Sequence, residues 1–203
     1  MKDYVEQTLE YYNENAAKFT GDTFGADMTA IQDEFLSYVK PGGTILDLGC
    51  GSGRDSKYFM DKGYEVIAVD GSEELCGIAA ELIGQDVYCS TFEDLNIDCE
   101  LDGIWACSSL LHLERDAIHD VVAKLTKQLV DNGVFYMSFK HGNFTGMRNG
   151  RYFTDMTEES ITSLLSDIPE LKLIKQSITG DVRPGRENEK WLNLFFEKRR
   201  LIV

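Results

Sequence analysis

The sequence predicts an α/β domain: a parallel sheet covered by helices on both faces, completed by an antiparallel C-terminal hairpin. Three observations predict it. Strand-like and helix-like segments alternate from residue 44 to residue 140. The strand-like runs, among them TILDLG, YEVIAVD, DGIWACS and VFYMSFK, are nearly continuously apolar, as in strands buried on both faces. The last two runs, 171–178 and 191–199, are joined by DVRPGRENE, 181–189, which is too short for a crossover helix.

Each element follows from local pattern. Tyr4, Leu9, Tyr12, Ala16 and Phe19 recur at helical spacing over 3–19, as do Met28, Ile31, Phe35, Leu36 and Val39 over 27–39. Pro41-Gly42-Gly43 stops the second helix before the strand at 44–49. A helix is expected from Ser52 to about Lys62, a strand at 64–70, and a helix capped by Ser72 running to about Ile83. Strands follow at 86–90 and 102–108, a helix at 114–130, and a fifth strand at 134–140. Residues 142–150 read as a glycine-rich loop, and Thr157 caps a helix with Glu158 and Glu159 in its first turn.

Composition bounds the function. The chain has 203 residues, 43% hydrophobic and 27% charged, which suits one folded domain. Its net charge of −15 argues against general binding to nucleic acid or to an anionic membrane surface. The five cysteines are scattered, without a CxxC pair, so reduced thiols and no metal site are expected. No signal-like or membrane-spanning apolar run is present, and a cytoplasmic protein is expected.

The segment 45-ILDLGCGSGRDS-56 carries the strongest chemical signal. A strand ends at Asp47, and Gly49, Gly51 and Gly53 let the backbone approach a ligand ahead of a helix. Arg54 stands where a dinucleotide fingerprint wants its last glycine, and the carboxylate of Asp47 suits a cationic ligand better than a diphosphate. Asp70 ends the next strand, 17 residues after Gly53, where a carboxylate can accept both hydroxyls of a ribose.

ILDLGCGSGRDS, followed by VIAVDGS and DGIWACSSLLHL, resembles the class I S-adenosylmethionine-dependent methyltransferases, and among them the small single-domain enzymes of tellurite-resistance type. The resemblance covers roughly residues 10–140 and is specific for cofactor, not for substrate. It implies a Rossmann-like sheet of seven strands, five parallel plus the reversed hairpin. It implies S-adenosylmethionine as cofactor, leaving as S-adenosylhomocysteine. Gly49, Cys50 and Gly51 would border its methionine part, and Asp70 and Gly71 its ribose. Thr91, Phe92 and Glu93 would hold adenine, and Ala106 and Cys107 would lie beneath the sulfonium. Relatives often carry an acid where Thr91 stands, so Glu93 or a backbone carbonyl would take the adenine amine here.

The resemblance also makes 1–40 a helical lid or cap, 41–140 the cofactor-binding core, and 141–203 a substrate-side loop, helix and hairpin, all within a single domain of 1–203. Tyr11, Tyr12 and Phe19 are the lid aromatics expected against the ligands. His112 follows the fourth strand on the ligand-binding face, as a base, a substrate-orienting group, or a residue that positions the loop. Charge reverses locally: 138–151 holds Lys140, Arg148 and Arg151 and no acid, and 181–203 holds six basic and four acidic residues. Lys140, Arg148, Arg183 and Arg186 are therefore expected around the substrate mouth, with Pro184-Gly185 fixing the hairpin turn; for Arg183 and Arg186, pairing with Asp181, Glu187 or Glu189 is the competing reading.

These readings converge on methyl transfer to a small-molecule acceptor, for which the basic residues suggest an anionic group, by a monomer or homodimer that is expected to engage neither nucleic acid nor membrane. The alternatives are a non-catalytic cofactor- or partner-binding module, a protein methyltransferase, and a dinucleotide-dependent oxidoreductase.

Overall fold

A computed structural model describes residues 2–183, 185–186 and 188–200. Pro184 and Glu187, invoked above for the hairpin turn and its charge pairing, lie outside the described residues.

Helices α1 (Asp3–Thr23) and α2 (Thr29–Tyr38) precede the sheet. The core alternates β1 (Thr44–Leu48), α3 (Arg54–Asp61), β2 (Glu65–Asp70), α4 (Glu73–Ile83), β3 (Tyr88–Cys89), β4 (Leu101–Ala106), α5 (Arg115–Thr126) and β5 (Leu129–Lys140). There follow β6 (Thr145–Arg148), β7 (Arg151–Thr154), α6 (Glu158–Leu164), β8 (Leu171–Gly180) and β9 (Lys190–Lys198). The seven-stranded sheet has the order β3-β2-β1-β4-β5-β9-β8. Strands β1 to β5 pair in parallel; β9 is antiparallel to both β5 and β8, so it alone runs against the sheet.

Both faces are filled. On one, Phe35, Phe59 and Ile83 of α2, α3 and α4 pack on Trp105 and Tyr136, whose rings stack at 4.1 Å. On the other, Ile118, Val122 and Leu125 of α5 and Ile161 of α6 cover Leu46, Ile104 and Phe135. Burial of this many large apolar side chains is the main stabilising term.

Four expectations need correction. The helix expected over 114–130 ends at Thr126, and the fifth strand begins at Leu129 rather than 134, because Leu129 already pairs with Leu101 before the left-handed Asn132 bulges the strand. Helix α3 starts at Arg54 rather than Ser52, because its N-cap Gly53 is left-handed at φ +84°. The third strand shrinks from 86–90 to Tyr88–Cys89; it is an edge strand with only β2 to pair with. The segment 142–150 is not wholly loop. Asn149-Gly150, at φ +52° and +80°, makes the tight turn between β6 and β7, which pair from Thr145↔Thr154 to Arg148↔Arg151. This small ribbon stands over the carboxyl ends of β4 and β5: Thr154 Oγ1 donates to the Leu113 carbonyl at 2.6 Å, and Met156 N–H to that of Lys140 at 2.9 Å. Among the described residues no helix is long and apolar enough to cross a membrane, and no cluster of His, Cys, Asp and Glu could hold a metal ion.

Candidate active site

The strand order reverses between β2-β1 and β4, and such a switch point opens a crevice at the carboxyl ends of a parallel sheet. An open cleft of about 370 Å³ lies there. Gly49 to Ser52, Arg54, Asp70, Gly71, Thr91 to Glu93 and Cys107 to Ser109 line it from the sheet. Tyr12 and Phe19 cover it, and His112, Lys140, Arg151, Arg183 and Arg186 border it.

The glycine loop is held by the strand beside it. The Gly49 and Cys50 N–H groups both donate to the Val69 carbonyl, at 2.8 and 2.9 Å. One Asp70 oxygen accepts from Gly51 N–H at 2.8 Å, and the other from Ser72 N–H at 2.9 Å. The carboxylate is thereby aimed across the loop with lone pairs to spare. Burial raises its pKa, opposed by these backbone hydrogen bonds. Gly51, at φ +57°, leaves room that a Cβ would take from Phe19, whose ring lies 3.2 Å from that point. At Gly53 a Cβ would stand 3.1 Å from Ala79, which shows that this glycine serves helix packing.

Behind the loop lies a second acid, Asp55. Its carboxylate accepts from Gln32 (2.8 Å), Arg54 Nε (2.7 Å), Arg54 Nη2 (3.0 Å) and Trp105 Nε1 (2.9 Å). That two-pronged grip orients the Arg54 guanidinium, whose Nη1 donates to the Thr23 carbonyl at the end of α1.

Helix α1 lies across the cleft. Leu9 Cδ2 comes within 2.6 Å of where a Cβ on Gly71 would be, so only glycine admits the helix there. Asn13 Oδ1 accepts from the Ser72 hydroxyl at 2.7 Å, while Ser72 caps α4. At the far flank the Tyr12 hydroxyl lies 2.8 Å from His112 Nε2. His112 Nδ1 is 2.6 Å from the Tyr152 carbonyl, so Nδ1 carries the hydrogen and Nε2 accepts from Tyr12. Burial first, and then the Arg151 charge, pushes the imidazole pKa down to about 4. His112 is therefore neutral near pH 7 and a weak base.

The remaining sites expected from sequence fall as follows. Thr91 Oγ1 donates to Asp94, and Lys124 Nζ donates to the carbonyls of Phe92, Glu93 and Leu95, pinning the segment after β3. Those two carbonyls of Phe92 and Glu93 are thus already engaged. Burial pushes the Cys107 thiol up to about 12 and that of Cys50 higher still, so neither is a nucleophile at neutral pH. Asp47, Ala106 and Tyr11 do not line the cleft. Asp47 is 2% exposed and accepts from the Ser56 hydroxyl at 2.6 Å; Ala106 is wholly buried in the core. Tyr11 packs outside, against the Arg151 guanidinium. Lys140 pairs with Glu189, Arg183 grips Asp181 at 2.8 and 2.5 Å, and Arg186 lies 3.8 Å from Glu189. Burial opposes ionisation of Asp181, yet Arg183 and Trp191 hold its carboxyl well below the usual range.

Sequence reasoning missed Ser108, Ser109 and the roles of Arg54 and Arg151. Ser108 is left-handed at φ +55°, and its N–H donates to Ser138 Oγ at 2.8 Å, a strained residue at the floor of the cleft. Ser109 Oγ is buried without a partner. Arg54 sits next to the glycines and had been read only as a missing glycine.

A sequence model described as a methyltransferase domain matches residues 45–133, from β1 into β5. Over 186 residues the chain is 28% identical to an uncharacterized methyltransferase of Staphylococcus carnosus, covering 84% of this chain and 90% of that one. The 1,6-didemethyltoxoflavin-N1-methyltransferase of Burkholderia thailandensis, solved with 1,6-didemethyltoxoflavin and S-adenosylhomocysteine, matches with a TM-score of 0.73 and 21% identity, covering 98% of this chain and 90% of that one. The stretch from β1 into β5 thus matches a methyltransferase domain, and the whole chain has the fold of these methyltransferase structures. The chain also shares its fold with a TehB-like S-adenosylmethionine-dependent methyltransferase of Corynebacterium glutamicum, at a TM-score of 0.69 and 19% identity over 94% of this chain and all of that one. The [4+2]-cyclase SpnF superposes with a TM-score of 0.75 at 13% identity, covering 94% of each chain, so the architecture alone does not dictate the reaction.

Proposed function

We propose that the cleft binds S-adenosylmethionine and that the protein transfers its methyl group to a small-molecule acceptor within one domain. The observation that carries this reading is the coupling of Asp70 to Gly51: a carboxylate at the end of β2 is aimed across a glycine loop in the cleft, where the left-handed Gly51 faces the Phe19 ring with no Cβ between them. The residues fit the cofactor. Gly49, Cys50 and Gly51 would hold its methionine part, Asp70 would accept from the ribose hydroxyls, and Thr91 to Glu93 would hold adenine. Cys107 would stand near the sulfonium, with Ala106 behind it in the core. When bound, the cofactor supplies a methyl group on a positively charged sulfur.

The chain's own contribution is placement and exclusion of water. Tyr12 and Phe19 of α1 close the cleft from above, and alignment of this kind is worth roughly 7–11 kcal/mol. His112, neutral and fixed by the Tyr152 carbonyl, orients the Tyr12 hydroxyl at the acceptor side. A small acceptor is supported by the cleft's dimensions and by the toxoflavin-type neighbour.

Calorimetry tests the site. Gly51→Val and Asp70→Ala, each still folded, should bind S-adenosylmethionine at least about 10-fold more weakly, the loss expected for charge-assisted hydrogen bonds or an occupied cradle. Wild-type affinity in both would remove the assignment. Methyl uptake from a metabolite library, read by mass spectrometry, separates catalysis from cofactor binding alone.

A further inference from the structure

Nearly every cation at the cleft already has a carboxylate. Arg54 meets Asp55, Lys140 meets Glu189, Arg183 meets Asp181, and Arg186 lies beside Glu189. Arg151 is different. Among the described residues no carboxylate forms an ion pair with it, although Arg148, three positions earlier, takes Asp155 at 2.8 Å.

What surrounds Arg151 is aromatic. Its guanidinium carbon lies 4.6 Å from the ring centre of Tyr11, 5.5 Å from that of Tyr12 and 5.2 Å from that of Phe153. Nη1 donates to the Tyr12 hydroxyl at 3.2 Å, and Nε is buried with no partner. A guanidinium offers five donors in a fixed plane. Ring faces attract the charge without satisfying those donors, so a cation held this way, with the Tyr12 hydroxyl as its acceptor, lacks a counter-charge and has donors to spare. Its position is set from below: the left-handed Gly150 before it abuts Tyr11, where a Cβ would come within 2.9 Å of the ring.

The location separates it from the ribose and adenine flank. Asp70 and Thr91 to Glu93 lie on the β2–β3 side of β1, whereas Arg151 is on β7, in the ribbon seated on His112 and Leu113 beyond β4. This is the flank from which an acceptor would meet a ligand lying along the glycine loop.

We propose that Arg151 is the counter-charge of the methyl acceptor, so that the cleft takes a small planar conjugated acid in its anionic form. The proposal rests on the reading of the cleft as a methyl-transfer site. A flat guanidinium offers paired N–H donors to an enolate, phenolate or carboxylate, which Lys140 could not match in geometry. Tyr12 and Phe153 line the cleft beside it, so the surroundings of the guanidinium are aromatic and suit a flat conjugated ligand. An acceptor bound as an anion has no proton to surrender, which agrees with a neighbouring imidazole of low basicity.

The test uses the full chain saturated with S-adenosylhomocysteine. Binding of 2,4-dinitrophenolate and its neutral methyl ether is measured by calorimetry for wild type, Arg151→Met and Arg151→Lys. Methyl uptake is measured separately with S-adenosylmethionine over a panel of conjugated acids, amines and thiols. Wild type should bind the phenolate in preference to the ether and methylate members of the acid group. Arg151→Met should weaken phenolate binding about 10- to 100-fold while S-adenosylhomocysteine affinity stays unchanged. Should the Met variant fail to fold, Arg151→Lys decides, because it keeps the charge, loses the fork, and should still weaken the phenolate. Equal binding of phenolate and ether, or unchanged phenolate binding in the variants, overturns the proposal. So does a parallel loss of S-adenosylhomocysteine affinity, which would place Arg151 on the cofactor. Methylation of amines or thiols alone overturns the proposal and leaves small-molecule methyl transfer standing. Failure of wild type to bind S-adenosylmethionine overturns both.

Discussion

Asp47 shows how one buried carboxyl ties stability to pH. It lies at the end of β1, 2% exposed, with one hydrogen bond from Ser56 and Asp55 close by. Burial first, and the Asp55 charge second, raise its pKa above the ordinary 3.8. The folded protein therefore keeps a proton that the unfolded chain has released, and stability falls as pH rises through this window. Asp47→Asn keeps the shape and removes the titration. From roughly pH 5 to roughly pH 8 the variant should lose less unfolding free energy than wild type, by up to about 1.4 kcal/mol per pH unit, and its melting temperature should fall less steeply. Parallel melting curves would mean that Asp47 is ionised when folded. Sequence placed this residue beside the ligand, because strand-end position is visible in a pattern while depth is not. Arg54 and Arg151 were equally visible as letters. What distinguishes them, a saturated carboxylate for one and bare aromatic rings for the other, comes from segments far apart in the chain.

At the scale of elements, α1 carries the main expectation. Its apolar contribution to the core is small: Val5 and Ala16 are its buried hydrophobic residues. Polar contacts hold it instead, through Asn13 to Ser72, Tyr12 to His112 and the Thr23 carbonyl to Arg54. Such contacts are each worth about 1 kcal/mol, so local opening is cheap compared with global unfolding. Amide hydrogen exchange over residues 10–23 should slow when S-adenosylhomocysteine is added, because Phe19 and Tyr12 gain a ligand to close upon. Asn13→Ala should speed exchange there without lowering global stability by more than about 1 kcal/mol. Equal protection with and without ligand would make α1 ordinary packing. The helix was legible from its period, and the β6–β7 ribbon was legible too, in the Asn149-Gly150 turn signal. The glycines around that signal made the segment read as loop.

For the whole molecule, charge is the governing quantity. A net charge of −15 on 203 residues creates self-repulsion that added salt screens. The exposed pairs, such as Lys2–Glu114 at 2.6 Å, contribute little each and lose little to salt. Melting temperature should therefore rise between about 10 mM and about 100 mM sodium chloride, where the screening length falls from ~30 to ~10 Å. A fall would show that the ion pairs outweigh the repulsion.

The sequence by itself determined the alternation of strands and helices, the continuous apolar strands, the glycine loop before Arg54, the acid at the end of β2 and the terminal pair of strands. These are local patterns, set by backbone preference and side-chain period, and each is written within about ten residues of chain. Only the tertiary structure decided which polar groups are satisfied. Lys140 is neutralised by Glu189, Arg183 by Asp181 and Arg54 by Asp55, while Arg151 meets ring faces and Asp47 sinks behind the loop. The physical reason is that the charge state and availability of a side chain depend on its neighbours in space. In this chain the strand order β3-β2-β1-β4-β5-β9-β8 chooses those neighbours, and it brings residue 12 to residue 112 and residue 151 to both.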